Sequence, residues 1–227
     1  MTVSPLGQAG IALGVDIGGS GARAGVVDLL NGTLHGPLAQ VDMSPKMTST
    51  RIIRALTMLI ATTGAAAGVP VGIGVPGFVD EAGASFFCVN MPGLNGLDLP
   101  AALGRAGRTV PDLAAWAAAE ARFGASRSAR RCLTVAVGSG VNAQLTVDGK
   151  LVVTASGCNG DAGHVLVDPE GPRCACGGTG CAEAICSAVA LARATGLPLR
   201  TIVERVTIVP ISVSAMVPVV GAALLAT

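Results

Sequence analysis

The chain has 227 residues, 13% of them charged, a net charge of +1, 2% aromatics and no tyrosine. That balance excludes a surface built for polyanions and leaves a core of small aliphatic side chains. The length suits one large domain or two small lobes. The seven cysteines are Cys88, Cys132, Cys158, Cys174, Cys176, Cys181 and Cys186. An odd, scattered set is unlike a secreted disulfide framework, so a reducing cytoplasm is expected. The first residues have neither a basic start nor a long apolar run, and no secretory signal is expected.

In chain order, residues 11–17 (IALGVDI) predict an apolar strand that runs into Gly18-Gly19-Ser20-Gly21. ARAGVVDLL follows, then Asn31-Gly32, a two-residue hairpin signal, then TLHGPLAQV, which together predict an antiparallel meander. Residues 47–67 predict a helix with Ile52, Ile53, Leu56, Leu59 and Ile60 on one face. Residues 69–79 predict a buried strand ending at Pro76-Gly77, and residues 99–103 a short helix. Asp112 to Phe123 predicts a second long helix with Gly124 as its stop. CLTVAVGSG is another apolar strand entering a glycine turn, and VNAQLTV, Asp148-Gly149 and KLVVTAS another hairpin.

Strand, glycine turn and hairpin thus occur near residue 12 and again near residue 132. This predicts a duplicated architecture with a boundary near residues 108–114. From Val206 to Thr227 there is no charged residue, which is long enough for a bilayer span. Pro210, Pro218 and the β-branched run before Pro218 instead predict a buried strand followed by a final core helix.

Several groups carry chemistry. His164, Cys174, Cys176 and Cys181 offer three thiolates and an imidazole, a closed tetrahedral set for structural zinc. The competing reading is unligated thiols or a Cys174–Cys176 disulfide. Asp161 and Glu183 flank that loop as spare carboxylates. The first glycine turn lacks a Walker lysine and is no P-loop. Its N–H groups can converge on phosphate because glycine has no Cβ in the way. Asp16 could hold magnesium through water, and Arg23 could face phosphate; the alternative is an ordinary glycine hairpin. Gly138-Ser139-Gly140 begins a G-x-G-x-x-A match, but a strand follows where a dinucleotide fingerprint needs a helix. Two glycine hairpins, one per lobe, fit a nucleotide held in a cleft. Asp112 is either a helix N-cap or a general base toward a substrate hydroxyl. Arg122, Arg127, Arg130 and Arg131 read as a solvated face, and no nucleic-acid or membrane partner is expected.

DIGGS at 16–20, GIGVPGFVD at 72–80, VNMPGLNG at 89–96, VGSG at 137–140 and GDAGH…CACGGTGCAE at 160–183 together resemble the ROK family of sugar kinases and sugar-responsive repressors. The resemblance runs from about residue 11 to residue 197 and is most specific in the last motif. It implies an α/β, two-lobed, actin/hexokinase-like (ribonuclease H-like) fold. Residues 1–111 would form the first lobe and residues 112–227 the second, with the last helix returning to the first. It implies glucokinase-like, ATP-dependent phosphorylation of a hexose, with Mg2+ accompanying ATP, structural zinc, and a homodimer. Asp112 would be the catalytic base. Gly77, Asn90, Asp161, His164 and Glu183 would line the sugar site, His164 using one ring nitrogen for zinc and the other toward sugar. Asp16, Gly18, Gly19, Ser20, Arg23, Gly138, Ser139 and Gly140 would face the nucleotide.

Three departures bear on this. Asp161 stands where the family usually has Glu. Pro111-Asp112-Leu113-Ala114 lacks the amides that usually flank the base. After Thr195 a block of helices and a strand is missing, which would remove part of the adenosine wall and leave the second lobe incomplete. The alternatives are a catalytically weak sugar-binding or regulatory protein, a kinase for a cyclitol-type polyol, or a zinc-stabilised interaction module. The last would follow if Asp112 did not share a cleft with His164 and Glu183.

Overall fold

The computed structural model describes residues 10–19, 21–153, 160–198, 201 and 217–226. Strand β1 (Ile11–Gly18) pairs antiparallel with β2 (Gly21–Asp28) along its whole length, closing at Gly18 opposite Gly21. β3 (Thr33–Leu34) and β4 (Ala39–Asp42) both pair with β2. Helix α1 (Ser49–Thr62) is shorter than the predicted span and ends before Gly64, whose φ is +72°. Its apolar stripe buries Ile52, Leu56, Leu59 and Ile60. β5 (Val71–Val75) then runs parallel to β1, from Leu13 opposite Val71 to Asp16 opposite Gly74. All five of its residues are buried, as a parallel strand covered on both faces requires.

A small β6–β7 hairpin (Phe78–Val79, Ser85–Phe86) and helix α2 (Leu99–Ala102) lead to β8 (Gly107–Pro111). β8 lies parallel to β5 and extends the sheet order to β3-β2-β1-β5-β8. β8 has no signal of its own in the sequence. Its five residues start at glycine, end at proline and carry no apolar alternation; only pairing with β5 makes them a strand. The Asn31-Gly32 signal also resolves differently. The turn spans four residues, Leu29–Gly32, because the Asp28 carboxylate accepts from Leu30 N–H at 2.8 Å and from the Asn31 amide at 3.0 Å.

Helix α3 (Asp112–Phe123) packs on the second sheet, order β11-β10-β9, formed by β9 (Arg131–Val137), β10 (Val141–Val147) and β11 (Lys150–Leu151). Asp148 and Gly149 form the two-residue turn of β10 and β11, both with positive φ (50° and 72°), the I′ arrangement. The loop and 3-10 turn at Ala162–His164 lead to α4 (Ala182–Cys186) and α5 (Ala188–Thr195). The last described helix is α6 (Val217–Leu224). The strand expected before it lies outside the described residues. No helix among those described is long and apolar enough to cross a membrane.

The first sheet is covered on both faces. One face packs Leu13, Val15, Ile17 and Ile73 against α1. The other packs Ala12, Val27 and Leu29 against α3 and α6 through Ala119, Val219, Val220 and Ala223. Helix α6 lies so close that a Cβ on Gly14 would meet the Val219 carbonyl, and one on Gly72 the Ala222 carbonyl. Gly221 approaches the Ala115 carbonyl in the same way. The second sheet is different. Its buried positions include Thr134, Gln144 and Thr146, while Leu133, Val135, Val137 and Leu145 are exposed.

Candidate active site

Parallel pairing brings the C-terminal ends of β1, β5 and β8 to one edge of the first sheet. Asp16 stands there on β1, Gly74 beside it on β5, and Asp112 just past the end of β8. Gly74 lies between them: a Cβ there would be 3.5 Å from Asp112 Cα and 3.8 Å from Asp16 Oδ1, in ordinary contact with both. Arg23, directly across β2 from Asp16, donates from Nη2 to Asp16 Oδ2 at 2.9 Å. Burial raises the Asp16 pKa and Arg23 offsets part of that rise.

Burial likewise pushes Asp112 up to about 6. The Leu113 N–H, donating to Oδ1 at 2.7 Å, lowers it, and the charge of Asp16 raises it further. Asp112 is therefore the first helical residue, with Pro111 at the cap position. Its carboxylate holds a helix N–H, yet burial outweighs that bond. Cys88, to which no sequence motif assigns a role, lies next to this group. Its thiol is pushed up to about 11 by burial, with Asp112 adding to the rise, and its Sγ leaves no room for a Cβ on Gly77. Asn90 is exposed in the turn that follows. The side chain of Asn95 secures that turn by accepting Cys88 N–H at 2.8 Å.

The second group assembles around β10. Gly138, Ser139 and Gly140 form the turn between β9 and β10, closed by Gly138 N–H donating to the Gly140 carbonyl at 2.8 Å. Glu183, on α4, accepts the Val141 N–H at 2.9 Å through Oε2. Gly140 has no side chain to obstruct that carboxylate. The metal loop and the glycine turn are thus held together by one charge-assisted bond. Asp161 Oδ1 lies 3.7 Å from His164 Nε2. The opposite ring nitrogen, Nδ1, lies 3.6 Å from Cys174 Sγ, and Cys176 and Cys181 approach to 3.7 Å. One ligand atom from each of His164, Cys174, Cys176 and Cys181 falls within 4.8 Å of the others. A Zn–S bond of about 2.3 Å places tetrahedral ligand atoms about 3.8 Å apart, so the donor set and spacing fit zinc. The Gly178 N–H, donating to Cys176 Sγ, holds that thiol below its ordinary range.

Two clusters therefore stand on elements in contact. Asp16, Arg23, Gly74, Cys88 and Asp112 form one, and Gly138–Gly140, Asp161, His164 and Glu183 the other. Helix α3, which starts at Asp112, packs against β10, whose first residue bonds Glu183. Ser20 lies outside the described residues; Gly18 and Gly19 occupy the end of β1 and its turn. Gly74 and the Arg23–Asp16 pair had only a faint signal in the sequence, the Gly72-Gly74 alternation within an apolar strand.

The model of the ROK family matches residues 12–222. The chain belongs to the ROK family. Among its relatives, the glucokinase of Thermotoga maritima is 32% identical over 187 residues, covering 80% of this chain and 58% of that protein. The chain thus spans under two thirds of the length of the glucokinases it matches. The transcriptional repressor Mlc of Escherichia coli is 46% identical over 76 residues, 34% of this chain and 19% of the repressor. Among solved structures, the inorganic polyphosphate/ATP-glucomannokinase of Arthrobacter superposes with a TM-score of 0.74 at 27% identity, covering 95% of this chain and 98% of that one. The ROK chain therefore has the α/β, actin/hexokinase-like fold.

Proposed function

We propose that this ROK protein transfers the terminal phosphoryl group of ATP to a hydroxyl of a hexose, in the manner of a glucokinase. The observation that carries this reading is Asp112. It is a buried carboxylate beside Asp16, at the edge where parallel strands end, with its pKa raised to about 6. A base of that strength accepts a hydroxyl proton near neutral pH without being neutralised. Named relatives that act on glucose support the substrate class.

In this reading Asp112 takes the hydroxyl proton as the oxygen attacks phosphorus. Asn90, Asp161, His164 and Glu183 fix the sugar hydroxyls, and Gly77 gives the sugar room beside Cys88. The turns at Gly18–Gly19 and Gly138–Gly140 face the phosphates with their backbone N–H groups, except that of Gly138, which closes its own turn. Asp16 would hold magnesium, one carboxylate with water and phosphate completing the shell, and Arg23 keeps that carboxylate oriented. Zinc would be held by His164 Nδ1 and the three thiolates, leaving Nε2 for Asp161 and sugar; its contribution is rigidity. The lobe boundary falls between residues 111 and 112. The cysteines described are all free thiols, which suits a reducing cytoplasm.

ADP release measured across a panel of hexoses tests this. Turnover with at least one hexose is expected, and a folded, zinc-loaded sample with none would remove the enzymatic reading. One observation favours a second reading, a sugar-binding regulatory protein with weak turnover. The second sheet is three-stranded among the described residues, and part of the chain matches the Mlc repressor.

A further inference from the structure

The members of the Cys/His set are not equally placed. Cys174 and Cys181 are buried, at 9% and 5% exposure, and His164 is half-buried, whereas Cys176 is exposed. Cys176 lies midway along a turn that two backbone bonds close. Cys174 N–H donates to the Gly178 carbonyl at 2.9 Å, and Gly177 N–H to the Cys174 carbonyl at 3.1 Å. Arg173 Nη1 donates to the Gly177 carbonyl at 3.2 Å, and Gly178 N–H to Cys176 Sγ at 3.4 Å. A small solute that reaches the loop therefore meets this sulfur first.

Cys181 Sγ lies 3.7 Å from Cys176 Sγ. A disulfide brings its sulfurs to about 2 Å, so closure asks for a movement of under about 2 Å. The residues between the two, Gly177-Gly178-Thr179-Gly180, are all glycine but one and give the backbone that freedom. Gly178 stands between the sulfurs: a Cβ there would be 3.4 Å from Cys176 Sγ and 3.3 Å from Cys181 Sγ. Cys174 is the poorer partner. Only Ala175 separates it from Cys176, its N–H and carbonyl are both committed to the turn, and its Sγ lies 3.6 Å from His164 Nδ1. Cys186 is exposed as well but stands outside the four-residue set.

We infer that Cys176 is an oxidation site for peroxides, with Cys181 as its resolving thiol, and that the reaction leaves the set unable to hold zinc. The Cys176 thiolate attacks one peroxide oxygen, the O–O bond breaks, hydroxide leaves and a sulfenic acid forms. The Cys181 thiolate then attacks the sulfenic sulfur, the S–S bond forms and a second hydroxide leaves. Two thiolates have given two electrons to one peroxide. His164 and Cys174 remain, too few ligands for a structural zinc site. Cys181 is the cap residue of α4, two positions before the Glu183 that accepts Val141 N–H. Oxidation therefore loosens that carboxylate from the second glycine turn. The loss of sugar affinity that follows rests on the hexose-kinase reading; the thiol chemistry does not.

Hydrogen peroxide, added in stoichiometric steps to the zinc-loaded full chain without sugar or nucleotide, tests the assignment. Dimedone should trap a sulfenic acid at Cys176, and mass spectra of peptides should show a Cys176–Cys181 cross-link. Zinc should pass to a chelating dye in step with that cross-link, and dithiothreitol with added zinc should restore the starting state. Cys176→His keeps a fourth ligand without a thiol and should slow zinc release at least tenfold, whereas Cys186→Ser should leave it unchanged. If Cys176→His does not fold, the trapped residue and the cross-link in the wild type decide. A chain that carries no zinc, a cross-link to Cys174, first labelling at Cys186, or zinc retained at tenfold excess peroxide overturns the proposal. Calorimetry with hexose before and after oxidation reads the consequence. Affinity should fall at least tenfold and return on reduction, and unchanged affinity overturns the link to the sugar site. No hexose binding by the reduced chain removes the kinase reading and leaves the oxidation site standing.

Discussion

In the proposed role of base, Asp112 combines two demands that conflict. Proton abstraction needs it ionised, whereas burial beside Asp16 favours its protonated form. The folded chain releases this proton near pH 6, the unfolded chain near 3.8. Between those values the folded state binds more protons than the unfolded one, so stability falls as pH rises across that window. Two pKa units correspond to about 3 kcal/mol. Asp112→Asn should therefore match the wild type in denaturant melts below pH 4 and exceed it by up to about 2–3 kcal/mol at pH 8. The same substitution should lower kcat by about 10²–10⁴-fold while calorimetric sugar affinity stays within a few fold. A minor loss of kcat would remove Asp112 from the role of base. For the wild type, kcat/KM should climb with pH through about 6, two units above an ordinary aspartate.

At the level of elements, two kinds of clamp hold the site. The Cys/His loop is fastened to the second glycine turn by Glu183. If zinc fills the four-residue set, chelation should lower the Tm by several degrees and plasma emission should find one zinc per chain. A sample without zinc, equally stable in chelator, would dismiss the metal. The other clamp is glycine at the contacts of α6. Gly72→Ala would press a methyl group into the Ala222 carbonyl, in parallel strands that cannot retreat. A loss of at least about 2 kcal/mol is expected from urea melts, against about 0.5 kcal/mol for an alanine at the open Gly68.

Legibility in the sequence followed the range of the forces. Helix α3 was readable to its ends because Pro111-Asp112 and Gly124 bracket it locally. The Asp148-Gly149 turn and the four metal-binding candidates were readable for the same reason. β8 was not, because its strand character comes from β5. Nor was the Arg23–Asp16 pair, which depends on β1–β2 register. The Leu29–Gly32 turn went astray because the side chain of Asp28 reorganised what Asn31-Gly32 would do alone.

Taken whole, the molecule is well packed on one side and sparse on the other. The first sheet is buried on both faces, while the second exposes Leu133, Val135, Val137 and Leu145. Of the groups expected to touch sugar, Glu183 is fastened by a 2.9 Å bond to Val141 N–H, while the sheet expected to wall the adenosine has three strands among the described residues. Titration calorimetry should therefore find hexose binding with ordinary enthalpy and ATP binding at least tenfold weaker than in a full-length ROK glucokinase. Equal nucleotide affinity would show that the site is complete for nucleotide.

The seating of α6 also dictates an order of events at synthesis. Helix α6 is made about 200 residues after β1, so the sheet exists long before the helix that covers Gly14 and Gly72. Until then α3 alone covers that face, and part of the surface of Ala12, Val27 and Leu29 is open to solvent or to chaperones. The nascent chain must keep β1 and β2 soluble over that span, and the edge bearing Asp16 and Asp112 is packed on both faces only when α6 arrives.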